Sequence, residues 1–274
     1  MRYFQFFDDW LLDGHRDIRR GYGRPRLVQT VKNLKNAQYA SVEKTTEGRY
    51  RLWYRASRPF TEEGESAADR PRIEGTETPG FIEGRRHGYA LCYAESDDGL
   101  NFVPTEVPAK DPRFAGQHDV IDVPRSCWIE AGSTYVPLDV YLDPREPESD
   151  QRYKSLIQSG RLLTSPDGFH WTDTGIDTFE THAHMGSDAD NHLRYNPFTR
   201  RYQATHRPGH WDRRVAISES DVDDVTRWGE PRVIFTPDVL DPPCHQFQGF
   251  PYYAYEDMWV GWLQHFDCSI EEKA

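Results

Sequence analysis

One unit recurs along this chain and limits what it can fold into. A strand meets a tight turn, a second strand opens on Arg-Tyr, a third strand follows, and an Asp-Gly turn leads to an aromatic residue. The Arg-Tyr pairs are Arg49-Tyr50, Arg152-Tyr153 and Arg201-Tyr202. The turns are Ser96-Asp97-Asp98-Gly99 before Phe102 and Ser165-Pro166-Asp167-Gly168 before Trp171, with a looser copy from Ser218 and Ser220 to Trp228. An Asp in such a turn accepts from backbone N–H groups, and the Gly takes the positive-φ position. A fourth start, HQFQGFPYYAYEDMWVGWLQHF, has Glu256-Asp257 as its turn and Trp259 in the place of the Tyr.

The opening hairpins are legible too. In the first, Leu52, Tyr54 and Ala56 alternate with Arg51, Trp53 and Arg55, the period of a strand. In the third, GSDADNHLRYNPFTRRYQATHR, two runs flank the turn Asn196-Pro197-Phe198-Thr199, and short polar groups crowd the mouth of the first. Four-stranded antiparallel sheets repeated in series close most economically as a β-propeller. The expected fold is therefore all-β, one propeller domain over residues 1–274. The fourth unit reaches only its first hairpin before Ala274, so a blade short at the C-terminus, or completed by the N-terminal strand, is part of the expectation. A polar, aperiodic insertion at 57–88 is long enough to be a rim loop or an arm for a homo-oligomer.

Composition narrows the partners. Aromatic residues make up 14% of the chain, as expected of a β protein that packs large rings between sheets. The formal charge of −12 repels phosphate backbones, so nucleic acid is excluded as a partner, while a neutral, hydroxyl-rich ligand is compatible. Cys92, Cys127, Cys244 and Cys268 show no CxxC spacing, which argues against zinc or thiol redox chemistry. His118, His182, His184 and His245 form no i, i+4 pair and no known ligand motif, so neither metal nor cofactor is expected. The N-terminus MRYFQFFDDWLL lacks a basic segment followed by an unbroken apolar run, and no stretch approaches a membrane span, so a cytoplasmic protein is expected.

The phrases GRYRLWYR, YAESDDGLNF, QRYKSL, SPDGFHW, SDADNHLRYNP and YEDMWVGWL resemble those of the five-bladed β-propeller glycosidases, the group that holds the family 32 and family 43 glycoside hydrolases. The nearer resemblance is to bacterial glycosyl-hydrolase-like proteins, over about residues 37 to 265. It implies five blades and carboxylates on inner strands facing a central funnel. The family 32 signatures are absent as such, since neither Asp111-Pro112 nor Asp143-Pro144 follows an Arg.

Counting back from the Arg-Tyr pairs places the starts of the inner strands. Gln38 and Tyr39 stand there in the first unit, Asp139 in the second, Asp188, Asp190 and Asn191 in the third, and Gln246 and Gln248 in the fourth. Glycoside hydrolysis needs one protonated carboxyl and one ionised carboxylate, and neighbouring acids in a shared funnel split their pKa values. Asp188 is the leading catalytic candidate, with Asp139 and Asp190 as partners. Asn191, His184, Gln248, Gln246, Gln38 and Trp211 are candidate sugar contacts, and Trp128 and Trp262 are further stacking platforms. The alternatives are that Asp139 pairs with Arg125 or Arg152 and that Asp190 only caps its turn. The expected function is a glycoside hydrolase. The alternative is a carbohydrate-binding or scaffold propeller without turnover.

Overall fold

The structure is a computed structural model that describes residues 34, 37–59, 81–82, 85–114, 116–127, 139–146, 149–157, 160–179, 190–208, 213–255 and 258–267. The chain divides into two compact units, Met1–Thr30 and Val31–Ala274, and the described residues belong to the second. They form antiparallel strands and two short 3₁₀ turns, Pro112–Phe114 and Arg125–Cys127, with no α-helix among them.

The first sheet is built from β1 (Gln38–Lys44), β2 (Tyr50–Pro59), β3 (Phe81–Ile82) and β4 (Arg85–Ser96) in the order β1-β2-β4-β3. Two short strands, β5 (Val103–Pro104) and β6 (Val120–Ile121), also pair with β4. The second sheet runs β7 (Tyr141–Leu142), β8 (Tyr153–Leu156), β9 (Arg161–Ser165) and β10 (Thr172–Asp177) in chain order across the sheet. The third repeats that order with β11 (His192–Asn196), β12 (Arg201–His206), β13 (Val215–Asp221) and β14 (Asp224–Trp228), and adds β15 (Arg232–Phe235) on β13. The fourth unit has two pairs: β16 (His245–Gly249) with β19 (Gln264–Asp267), and β17 (Tyr252–Tyr255) with β18 (Met258–Gly261). The Arg-Tyr pairs open β2, β8 and β12, where the repeat places them.

Both Asp-Gly turns fold through the same bonds. The amides of Leu100 and Asn101 donate to Asp98 Oδ1, and those of Phe169 and His170 donate to Asp167 Oδ1. Gly99 N and Gly168 N donate to Ser96 Oγ and Ser165 Oγ. The aromatics that follow, Phe102 and Trp171, fold back into the core.

Alternation on β2 explains how the sheets stack. Leu52, Tyr54 and Ala56 enter an apolar cluster with Ala90, Cys92 and Phe114 on one face of the first sheet. Trp53, on the opposite face, joins a second cluster with Tyr153, Leu163 and Trp171 of the second sheet. A third cluster, Leu156, Leu162, Leu193, Tyr202 and Ala204, joins the second sheet to the third. Hydrogen bonds from Tyr252 Oη to Gln203 O (2.9 Å), Thr205 Oγ1 to Phe250 O (3.2 Å) and Phe247 N to Arg213 O (3.0 Å) join the third to the fourth.

Four units thus pack face to face in sequence order, and all four line one cavity. The fold is all-β, of the β-propeller type. Of the five blades expected, the described residues build three sheets and two strand pairs of a fourth. The polar stretch starts later than its composition suggests. Pairing of β2 with β4 runs unbroken from Tyr50↔Ser96 to Pro59↔His87, so residues 57–59 and 87–89 are arms of a hairpin, and Arg85 and Arg86 pair with β3. Residues 60–80 lie outside the described residues.

Candidate functional site

The shared cavity measures about 1070 Å³. Its lining includes Gln38, Tyr39, Arg55 and Tyr89 of the first unit and Asp139 and Val140 of the second. Asp190, His192, Arg194 and Arg213 come from the third, and Pro251 and Gln264 from the fourth.

The third unit dominates through the pleat of β11. His192 and Arg194 share one face of the strand and line the cavity with Asp190, which precedes it, while Leu193, on the other face, enters the core between sheets. Asn191 follows Leu193. It is fully buried, and its Nδ2 donates to Ile157 O of the second unit at 2.9 Å. The expected sugar contact is therefore a bond between blades.

The three cavity-facing groups form a charged chain with Asp139. Arg194 Nη1 and Nη2 donate to the two carboxylate oxygens of Asp139 at 2.5 and 3.3 Å. His192 Nδ1 stands 3.3 Å from Asp139 Oδ2, and its Nε2 stands 2.9 Å from Asp190 Oδ1. Ser41 Oγ donates to Asp139 Oδ1 at 3.3 Å and accepts from Val140 N at 2.8 Å, tying β1 into the array. Asp139, His192 and Asp190 are 6%, 8% and 2% exposed, so their charges interact with little water between them.

Burial alone pushes the Asp139 carboxyl up, but Arg194 and His192 outweigh it and hold the group well below the usual carboxylate range. Burial alone pushes the His192 imidazole down, but Asp139 and Asp190 outweigh it and raise its pKa to about 9. At neutral pH an imidazolium therefore sits between two acids, its opposite edges turned to each.

Asp190 stands apart from Asp139 in one respect. Its backbone is left-handed, with φ of 78°. Its Oδ1 faces His192, while its buried Oδ2 has no hydrogen-bond partner among the described residues. Gly249 makes room for that oxygen, since a Cβ there would lie 1.7 Å from Asp190 Oδ2. Asp139, by contrast, has both oxygens engaged.

The wall opposite is aromatic and cationic. The Arg55 guanidinium lies between the rings of Tyr39 and Tyr89, 4.3 and 4.2 Å from their centroids. Its Nη2 donates to Gln38 Oε1 at 2.6 Å. Gln38 is thus at the cavity, as its position predicts. Gln246 and Gln248 are not among the described lining residues; the fourth unit contributes Gln264, whose backbone pairs with Gly249. Asp188, His184 and Trp211 lie outside the described residues, as does Trp128. Trp262 is described and 58% exposed, stacked on Tyr253 at 5.3 Å away from the cavity lining.

Two alternatives raised by the sequence give way to other contacts. Asp139 takes Arg194 and His192 rather than Arg125 or Arg152, and Asp190 bonds a side chain on its own strand rather than capping a turn. His192, Arg194, Arg213, Arg55 and Tyr89 also line the cavity, beyond the residues that counting along the repeats points to. The signal for the first two was present: Asp190-x-His192-x-Arg194 is a period-two run of charge at the head of a strand.

No family model and no curated protein matches the chain. Solved structures do. β-1,2-Mannobiose phosphorylase from Listeria innocua is 15% identical with a TM-score of 0.49, over 88% of this chain and 72% of that one. An α-L-arabinanase from Penicillium chrysogenum is 11% identical with a TM-score of 0.46, over 84% and 57%. A protein of unknown function from Dyadobacter fermentans is 14% identical with a TM-score of 0.44, over 81% and 54%. The chain spans between half and three fifths of the first of these structures that it matches. A GH43 protein from Bacillus licheniformis, 11% identical with a TM-score of 0.46, is also among them. The neighbours are glycoside hydrolases and phosphorylases as well as that uncharacterised protein; at such identities no residue role passes from them to this chain.

No helix among the described residues is long and apolar enough to cross a membrane.

Proposed function

We propose that this propeller cleaves glycosidic bonds in its shared cavity, with Asp190 as a reacting carboxylate. The observation that carries the reading is the asymmetry of Asp190: one oxygen faces His192, and the other is buried in the cavity wall with no hydrogen-bond partner among the described residues. A carboxylate held on one side and free on the other suits attack on an anomeric carbon or activation of water. The His192 imidazolium fixes its orientation and stabilises its negative charge, and Asp139 with Arg194 holds the imidazolium in turn. Asp139 then acts as a positioning residue. Asp188, the leading candidate from the sequence, is retained as the partner carboxylate. The mixed polar and aromatic wall of Tyr39, Tyr89 and Gln38 fits a hydroxyl-rich ligand.

The test is turnover of nitrophenyl furanosides, nitrophenyl pyranosides and oligosaccharides by wild type, Asp190→Asn and Asp188→Asn. Loss of at least a hundredfold in kcat in a folded Asp190→Asn protein is the expected result. Undiminished turnover in that variant would reject the assignment. A second reading has its own observation: of the two carboxylates described in the cavity, Asp139 has both oxygens committed to Arg194, His192 and Ser41. A binding propeller without turnover needs no second acid, and saccharide binding without product from wild type would select it.

A further inference from the structure

The cavity carries more positive than negative groups in a chain of net charge −12. Among its described lining residues, Arg55, Arg194, Arg213 and His192 face only two acids, Asp139 and Asp190. Arg194 and His192 are matched by those acids, and Arg55 is held by two tyrosines and Gln38. Arg213 is different. Its Nε and Nη1 are buried without a hydrogen-bond partner, and no acid pairs with it among the described residues. Phe266 covers the guanidinium at 3.9 Å, and the Arg213 carbonyl accepts from Phe247 N at 3.0 Å, so the residue is fixed in the cavity wall. Buried donors left idle on a half-buried guanidinium are costly unless an acceptor arrives, and a charged acceptor is worth most.

We infer that the saccharide taken by this cavity is acidic, a uronic-acid-containing oligosaccharide whose carboxylate is bound by Arg213. This rests on the carbohydrate reading above and narrows it, against the neutral ligand that composition suggests. A carboxylate fits better than a phosphate ester. It brings one charge rather than nearly two into an acidic protein, while still supplying two acceptor oxygens. The surrounding negative charge discourages approach of anions in general, so the local cationic wall selects those that can also use the hydroxyl-binding groups.

The experiment is calorimetric titration of wild type, Arg213→Gln and Arg213→Lys with matched pairs: galacturonate against galactose oligosaccharides, and glucuronate against glucose oligosaccharides. Sodium sulfate and inorganic phosphate serve as probes without sugar. Wild type is expected to bind one uronate series at least tenfold more tightly than its neutral match, and to lose affinity as salt is raised. In Arg213→Gln that preference falls to near one, and Arg213→Lys restores part of it. Equal affinity for neutral and acidic members in wild type overturns the inference, as does a preference that survives Arg213→Gln. Binding of sulfate or phosphate as tightly as of the uronates also overturns it, because the site would then serve a free ion. If wild type binds neutral saccharides alone, the carbohydrate reading stands and only this inference fails. If it binds no saccharide, both fail. Thermal melts establish that each variant is folded, and the wild-type comparison decides the question even if neither variant is.

Discussion

Two seams between blades are built from opposite materials. The seam between the first and second sheets is apolar. Trp53 lies 5.5 and 5.7 Å from the ring centroids of Tyr93 and Tyr153, and its Nε1 donates to Gly168 O at 3.0 Å. At the cavity, the second and third units are joined instead by Asp139, Arg194 and His192. Apolar burial tolerates small shifts, because its energy follows area. A buried ion pair tolerates few, because its partners must offset the desolvation of each charge. The first seam therefore fixes how sheets stack, and the second fixes where a small set of charges stands.

The largest test of that contrast is Asp139→Asn. It leaves Arg194 and His192 buried with one acid fewer, and breaking such a pair costs on the order of 3–5 kcal/mol. Chemical denaturation should show the loss, together with a lower His192 pKa by NMR. A change within about 1 kcal/mol would mean that the charged seam contributes little to the fold.

Gly168→Ala probes the apolar seam. The residue has φ of +84°, and a Cβ there would lie 2.7 Å from Trp53 Cζ2. Trp53 cannot withdraw without losing its bond to the Gly168 carbonyl. Strain and overpacking together should cost about 2–4 kcal/mol. Gly48→Ala is the control, with φ of +87° and nothing within 4 Å of the added carbon, and should cost about 1 kcal/mol. Equal losses in the two variants would remove the close Trp53 contact from the account.

The pH dependence separates the charged part of the contact between the second and third sheets from its apolar part, where His206 stacks on Phe179. His192 has its pKa raised to about 9 from an ordinary value near 6.5, so the folded state holds this proton more tightly. The resulting stabilisation is complete below pH 6.5 and is lost as pH rises through about 9. It amounts to roughly 3 kcal/mol. His206 behaves in reverse. It is buried against Phe179, its ring nitrogens have no hydrogen-bond partner among the described residues, and burial lowers its pKa to about 3. Its neutral form is favoured by folding, so stability falls as pH drops from about 6.5 toward 3. Urea midpoints should decline on both sides of neutrality, with His192→Gln flattening the alkaline limb and His206→Leu the acid limb. An alkaline limb unchanged in His192→Gln would contradict the bridging imidazolium.

How much of this could be read from the amino acids follows the same division. The Asp-Gly turns and Arg-Tyr strand starts are local chemistry: a carboxylate, a hydroxyl and a left-handed Gly within a few residues. They were legible, and with them the repeating sheets. The placement of Asp139 and Asp190 at a common cavity also followed, because counting from the repeats finds the inner strand ends. Partner choice did not follow. Arg194 finds Asp139 across 55 positions of chain, and the local alternatives Arg125 and Arg152 looked equally good without the packing of sheets. Asn191 neighbours two cavity residues in sequence, but its amide donates to Ile157 O between blades, a contact that sequence order does not show. In the fourth unit counting along β16 reaches Gln246 and Gln248, whereas the cavity lining there includes Gln264 of β19, which returns beside Gly249.

Ser41→Ala carries the smallest expected effect and tests how finely the charged seam is set. Ser41 Oγ is the contact by which the first sheet reaches Asp139, and it also receives the Val140 amide. Deleting it removes two hydrogen bonds but no charge, and Arg194 and His192 still hold the carboxylate. The loss in stability should be about 1 kcal/mol. The effect on the site should exceed that on the fold, because Asp139 positions His192, and His192 positions Asp190. Lower kcat with KM nearly constant would fit a chain of positioning that reaches Asp190, the carboxylate proposed to react. A rise in KM alone would place Ser41 at the ligand instead, and parallel losses of stability and activity would reduce it to packing.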